Sequence, residues 1–133
     1  MALHPILIVD DHAANVAIYE NVIRELAHCV AHCFTDPAQA LQWCEGNQPA
    51  LALVDYHMPA IDGLEFVRRF RALPDRANVP ILMLTGERDA SIRAEALAAG
   101  VIDVLSKPFD KAQFLRYARN LIFREVPSGA STA

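Results

Sequence analysis

Three runs of four apolar residues set the limits on this fold: Ile6-Leu7-Ile8-Val9, Leu51-Ala52-Leu53-Val54 and Ile81-Leu82-Met83-Leu84. They are continuous rather than alternating, so strands made from them must be covered on both faces, as in a parallel sheet held between helices. Val30–Phe34 and Val101–Leu105 are weaker strand candidates. Between the runs the apolar spacing becomes helical. Val16, Tyr19, Ile23 and Leu26 form one stripe, and Phe114, Ala118, Leu121 and Ile122 form another. The order β-α-β-α-β-α-β-α-β-α, with helices predicted over 13–27, 37–46, 63–72, 90–99 and 110–124, implies right-handed crossovers and an open α/β sheet.

The predicted helix starts carry their own signals. Asp36, Asp62 and Asp110 each stand three residues before Gln39, Glu65 or Gln113, which is capping-box spacing, and Pro37 falls at a first helical position. Gly46 and Gly100 stand where a helix could close with a left-handed residue. The 133 residues suit one domain with a short tail, expected at 1–125 and 126–133, the latter of linker composition (Pro127-Ser-Gly-Ala-Ser-Thr-Ala133). The 53% hydrophobic content supplies a driving force that a disordered chain lacks. No uncharged apolar run approaches the roughly eighteen residues of a membrane span. The first residues read as no signal peptide, because Ile6–Val9 meets Asp10 and Asp11 at once. Twelve basic against sixteen acidic residues argue against a nucleic-acid-binding surface. Three cysteines without a secretory signal lead to an expectation of reduced thiols and a cytoplasmic location.

Ligands of open α/β sheets bind beyond the carboxyl ends of the strands. There this sequence places Asp10-Asp11 after the first run, Asp55 after the third, Thr85 after the fourth, and Ser106-Lys107 after the fifth. Two carboxylates about 5 Å apart at an effective dielectric near 20 repel by roughly 3 kcal/mol. A cluster of three therefore calls for a cation, and oxygen ligands with room for water suit Mg²⁺ together with a phosphoryl oxygen. Lys107 would offset the phosphoryl charge and the Thr85 hydroxyl would donate to it. A carboxylate beside that cation, with no other nucleophile in reach, makes Asp55 itself the candidate for phosphorylation.

Asp10-Asp11, Asp55-Tyr56-His57-Met58-Pro59-Ala60-Ile61-Asp62-Gly63, Thr85-Gly86 and Lys107-Pro108-Phe109 resemble the response-regulator receiver (CheY-like) family of two-component signalling, over about 6–124. The resemblance implies a flavodoxin-like (βα)5 three-layer sandwich with a five-stranded parallel sheet of order 2-1-3-4-5. It implies a signalling phosphoacceptor rather than an enzyme with external turnover, catalysing only its own phosphoryl transfer and hydrolysis. Asp55 matches the acceptor, served by a sensor histidine kinase, a histidine phosphotransfer protein or a small phosphodonor. Asp11 matches the direct Mg²⁺ (or Mn²⁺) ligand, Asp10 a partner acting through water, and the His57 backbone carbonyl a third protein ligand. Thr85 matches the switch hydroxyl, Gly86 the small residue that leaves room for phosphate, and Lys107 the paired cation. The Lys107-Pro108 peptide is expected to be cis. A downstream effector or a fused output domain follows from the same resemblance, with no direct nucleic-acid or membrane binding by this chain.

One departure stands out. The family usually carries Tyr or Phe three residues before the lysine, and here that residue is Val104. Phosphorylation is unaffected by this, but an aromatic readout on the face of the fourth helix, fifth strand and fifth helix is not available. His28-Cys29-Val30-Ala31-His32-Cys33 has the look of a metal cluster. On a strand, however, its i, i+4 pairs lie about 13 Å apart, so packed thiols and partly exposed histidines are expected instead. Cys44 is expected in the core, and Asp62 as a helix cap rather than a ligand. His12 follows the acidic pair; the resemblance implies that His57 and Glu87 border the phosphoryl group, the alternative being two solvent-facing loop residues. Arg116, Arg119 and Arg124 with Asp103 read as a solvated face ahead of a partner or weak-homodimer surface. Two rival chemistries fit less well. A haloacid-dehalogenase-type phosphatase needs Asp-x-Asp, and a flavodoxin-type FMN carrier needs a hydroxyl-rich loop where this chain has Asp-Asp-His.

Overall fold

In the computed structural model, which describes residues 3–86 and 90–123, every apolar run becomes a strand and every amphipathic stretch a helix. The order is β1 (His4–Val9), α1 (Ala13–Ile23), β2 (Cys29–Phe34), α2 (Pro37–Gly46), β3 (Leu51–Asp55), α3 (Gly63–Arg71), β4 (Ile81–Thr85), α4 (Ala90–Ala99), β5 (Asp103–Ser106) and α5 (Lys111–Ile122). The strands form one parallel sheet of order β2-β1-β3-β4-β5. The proposed boundary at 125, the tail 126–133, Arg124 and Glu87 lie outside the described residues.

The continuous runs are continuous because both faces are covered. Leu7, Val9, Ala52, Val54, Ile81 and Met83 face α2, α3 and α4, with Phe66, Phe70, Ala40, Cys44 and Ala96 among their partners. Ile6, Ile8, Leu51, Leu53, Leu82 and Leu84 face the other way, onto Tyr19, Val22 and Ile23 of α1 and Phe114, Leu115 and Ala118 of α5. Phe66, Phe70 and Phe114 are fully enclosed, and truncating any of them to alanine would cost about 3–5 kcal/mol.

The element ends differ from expectation for identifiable reasons. The α1 stripe reaches Leu26, yet the helix stops at Ile23. There the bonds shorten to Glu25 N–H on the Val22 carbonyl and Leu26 N–H on that of Ile23, so Leu26 is buried from a tightened turn. β5 begins at Asp103 rather than Val101. Gly100, at φ 109°, reverses the chain after α4, and Val101 is buried in the connection before sheet pairing starts at Leu82–Asp103. Gly46 does not close α2 with a left-handed turn; it is the last helical residue, and Asn47 is extended. The exposed helix end is met by the buried Arg76, whose guanidinium donates to the carbonyls of Cys44 (2.6 Å) and Asn47 (3.2 Å). Asp36 caps α2, but through Ala38 N–H rather than Gln39. Asp62 and Asp110 accept from Glu65 N–H and Gln113 N–H as the spacing predicts.

His32 and the cysteines behave as packing residues. His32 stacks on Trp43 of α2 at 4.7 Å between centroids, while Cys29 and Cys33 pack toward the α1 side. Burial pushes the Cys29 thiol up and carries Cys33 and Cys44 to about 11, with Glu20 adding to the rise at Cys33. These thiols are therefore protonated at neutral pH.

Asp103 ties three elements together. Its carboxylate pairs with Arg93 of α4 at 2.8 Å, accepts from Tyr117 O–H of α5, and accepts from Val104 N–H. Partial burial would raise this carboxyl, but the Tyr117, Val104 and Arg93 donors outweigh it and hold the group below its ordinary range. A depressed folded pKa means stabilisation that is complete above the unfolded value and is lost as pH falls through the folded one. Asp103→Ala should lower stability by about 1–2 kcal/mol. In urea titrations across pH, the gap from wild type should hold above roughly pH 5 and close in acid. A gap that does not change with pH would contradict this.

Candidate functional site

Register brings the acids together. Val9 pairs with Val54, so the next residues, Asp10 and Asp55, leave adjacent strands side by side. Asp55 pairs with Leu84, and Thr85 with Ser106, so Thr85 and Lys107 arrive at the same end of the sheet. Lys107 N–H donates to the Thr85 carbonyl at 2.9 Å, and the Lys107-Pro108 peptide is cis, as expected.

Asp10, Asp55 and Thr85 are buried polar residues. Asp10 is spoken for on both oxygens, accepting from His12 N–H at 2.9 Å and from the Asn15 amide at 3.2 Å. Asp55 is different. Its side chain is 1% exposed, Lys107 Nζ lies 2.6 Å from Oδ1, and neither oxygen has a hydrogen-bond partner among the described residues. Lys107 and Asp55 thus form an ion pair at this end of the sheet. Asp11 Oδ1 is likewise buried and without a hydrogen-bond partner.

Three buried carboxylate oxygens, with Lys107 the ammonium set against one of them, form a site that a cation would complete. Asp10, Asp11 and His12 can each offer a ligand atom within 4.8 Å of the others. The donor set, dominated by carboxylate oxygen, fits Mg²⁺.

Burial pushes the Asp55 carboxyl above its ordinary range; Lys107 pulls it back, while Asp10 and Asp11 add to the rise. A raised folded pKa means that the ionised form costs stability above that pKa, so its contribution improves as pH falls toward it. Asp55→Asn should accordingly stabilise the metal-free protein at neutral pH, on the order of 1 kcal/mol for the relieved charge. Thermal melts in chelator should show the variant melting higher; a lower melting temperature would contradict the account.

The other predicted residues fall around this centre. Gly86 follows Thr85 on the surface, and a Cβ there would meet nothing within 4 Å, leaving open space beside the cluster. His57 is exposed two residues after Asp55, its ring edge-on to Tyr56. Val104 is half-buried against the α2–α3–α4 side, its carbonyl accepting from Arg93 at 3.2 Å. Arg116 and Arg119 are exposed on α5.

Three residues of the site have roles that the sequence reading did not assign. Asn15 holds Asp10 from the first turn of α1. Tyr19, noted only for its apolar stripe, lies beneath the cluster, where burial and then the charges of Asp10 and Asp55 raise its hydroxyl pKa and keep it protonated. Gly63 is more than a helix start. Its N–H donates to the Tyr56 carbonyl at 2.8 Å, and a Cβ there would lie 2.4 Å from the Asp55 carbonyl oxygen. The Asp62-Gly63 pair by itself reads only as a capped helix start, and the approach to Asp55 is a tertiary one.

Comparison with known proteins agrees with this geometry. A family model described as the response regulator receiver domain matches residues 6–119. The chain is 42% identical over 118 residues to the cyclic di-GMP phosphodiesterase response regulator RpfG of Xanthomonas campestris, covering 88% of this chain and 31% of that protein. It is 35% identical over 131 residues to the response regulator MprA of Mycobacterium bovis, covering 95% of this chain and 54% of that one. The chain therefore spans about a third to a half of these curated relatives. Among solved structures it resembles the receiver domain of the sensor histidine kinase PA1611 of Pseudomonas aeruginosa, with TM-score 0.81 and 31% identity, covering 92% of this chain and 99% of that one. That receiver has a magnesium ion coordinated in its active site cleft. The chemotaxis protein CheY4 of Vibrio cholerae is similar at TM-score 0.83 and 26% identity, covering 90% and 99% of the two chains.

Proposed function

This chain belongs to the response regulator receiver domain family, the phosphoacceptor module of two-component systems, and on that premise we propose that Asp55 is its acceptor residue. The observation that carries the assignment is the Asp55 carboxylate itself, buried at the end of β3, unmatched by hydrogen bonds and 2.6 Å from Lys107. One Asp55 oxygen attacks the phosphorus of a phosphohistidine on a histidine kinase or phosphotransfer protein, or of a small phosphodonor. The P–N or P–O bond of the donor breaks, its electron pair leaves with the donor, and the acyl phosphate forms on Asp55. Lys107 holds an ammonium against the incoming phosphoryl oxygens, and the Thr85 hydroxyl donates to one of them. Asp10, fixed by His12 N–H and Asn15, keeps its negative charge oriented, while Asp11, Asp55 and the His57 carbonyl would hold Mg²⁺. When bound, the ion neutralises the carboxylates and the charge on the transferred group.

The proposed output is a shift between two states of the α4–β5–α5 side, read by an effector or a fused domain. With valine at position 104, Arg93 on the Val104 carbonyl and on Asp103 supplies a side-chain link from α4 to β5 among the described residues. Hydrolysis of the acyl phosphate returns the protein to its starting state, with no external substrate turned over.

The cation requirement tests this reading. Incubation with a small acyl phosphodonor should add one phosphoryl group, about 80 Da by intact mass, in Mg²⁺ but not in excess chelator. Asp11→Asn should shift the Mg²⁺ dependence to at least ~10-fold higher concentration. Labelling of equal extent in chelator would overturn the proposal.

A further inference from the structure

We propose that His12 contributes an imidazole nitrogen to the cation site, making it a mixed oxygen–nitrogen site that discriminates toward transition-metal ions. The inference rests on the reading of Asp10, Asp11 and Asp55 as the cation site and concerns which cation that site selects.

His12 Nδ1 lies 3.3 Å from Asp11 Oδ1 and 3.5 Å from Asp10 Oδ1. Adjacent ligands of an octahedral ion, with bonds of about 2.1 Å, stand about 3 Å apart. The imidazole nitrogen and the Asp11 oxygen are thus near the separation of two ligands sharing one ion. They are not a hydrogen-bonded pair, because Asp11 Oδ1 has no hydrogen-bond partner among the described residues.

The ring is also not committed to helix capping. His12 occupies the N-cap position of α1, yet its side chain makes no capping hydrogen bond. What is fixed is the backbone, whose N–H is held by Asp10 Oδ1 at 2.9 Å. That bond and the helix start behind it fix the point from which the side chain leaves the backbone. The neighbouring strand end adds a further buried acid to the same place: Asp55, 1% exposed, has Lys107 at 2.6 Å against one oxygen and no hydrogen-bond partner among the described residues at the other.

Imidazole is a poor ligand for Mg²⁺ and a good one for later first-row ions, whose affinity for nitrogen rises from Mn²⁺ through Co²⁺ to Ni²⁺. A carboxylate-only site gains less along that series than a site with one histidine does. The residue after the acidic pair therefore sets metal preference without altering the acceptor.

The test uses the full chain loaded with Mn²⁺ and examined by pulsed electron paramagnetic resonance for nitrogen-14 coupling, alongside calorimetric titration with Mg²⁺, Mn²⁺ and Co²⁺. Wild type should show imidazole coupling, and His12→Ala should lose it. Co²⁺ affinity should fall at least ~10-fold in His12→Ala while Mg²⁺ affinity stays within about threefold. His12→Gln should behave like the alanine variant, and His57→Ala should retain the coupling. Absence of coupling in wild type, its survival in His12→Ala, or an unchanged Co²⁺ to Mg²⁺ ratio would overturn the inference. If Mg²⁺ binding is lost in Asp11→Asn but no coupling is seen, only the role of His12 fails. If Asp11→Asn and Asp55→Asn leave Mg²⁺ binding intact, the cation site itself is misplaced and both readings fall.

Discussion

Asp55→Asn protein incubated with Mg²⁺ and a small phosphodonor should carry no phosphoryl adduct under conditions that label wild type, a loss of at least ~100-fold. The amide preserves shape but offers no anionic oxygen to attack phosphorus. The neighbouring acids are poor substitutes for different reasons. Both Asp10 oxygens already accept hydrogen bonds, from His12 N–H and the Asn15 amide. Asp11 is partly exposed, and the ion pair with Lys107 is made by Asp55. Lys107→Ala separates acceptor from cation: it keeps the carboxylate but removes the ammonium 2.6 Å away, so labelling should slow without disappearing. An adduct of undiminished yield in Asp55→Asn, measured by intact mass, would refute the assignment.

The second large effect is structural and begins at a residue with no functional group. Gly63→Ala places a methyl 2.4 Å from the Asp55 carbonyl oxygen and 2.9 Å from the Tyr56 Cα. Both are backbone atoms, so neither can rotate aside as a side chain would. Either α3 lifts from the end of β3 or Asp55 moves with the strand. The expected cost is about 3 kcal/mol, on the order of 10 °C in melting temperature for a domain of this size. Because the displaced atoms belong to Asp55 and its neighbour, phosphoryl labelling should fall as well, even well below the melting temperature. A variant that melts within a degree of wild type would show that the close approach is relaxed at little cost.

These two residues also illustrate what a sequence can carry. Asp55 was legible because a four-residue apolar run fixes a strand and the acid stands directly after it. The doubly covered sheet then brings the carboxyl ends of β1, β3, β4 and β5 to one end, where the polar residues of all four collect. Asp10, Asp11, Thr85 and Lys107 were legible for the same reason, and so was the strand order once the motifs were read together. Gly63 was legible only as a helix start, because a 2.4 Å clash belongs to a tertiary approach between α3 and β3 that no local pattern encodes. Arg76 is a further case. A lone arginine in the Pro74–Pro80 connection gives no hint that its guanidinium crosses to the carbonyl of Cys44, yet it replaces the glycine closure expected at Gly46. Asp103 was noted beside a basic face, but its ligands come from Arg93 and Tyr117 on separate helices. Side chains that bridge elements depend on how the helices settle against the sheet, and periodicity does not report that.

The charge balance of the chain takes its meaning from the same geometry. A net −4 spread over the surface would govern little beyond solubility. Concentrated in Asp10, Asp11 and Asp55 at one end of the sheet, part of it becomes a site whose carboxylate oxygens favour a cation and, through it, a phosphoryl group.

The most direct test of this account is to locate the phosphoryl group chemically. Wild-type protein labelled in Mg²⁺ is reduced with borohydride, which converts an aspartyl phosphate to homoserine, then digested and sequenced by mass spectrometry. The account predicts homoserine at position 55 and at no other aspartate. Conversion at Asp10 or Asp11, or a phosphoryl group retained on His12 or His57 with Asp55 unchanged, would contradict it.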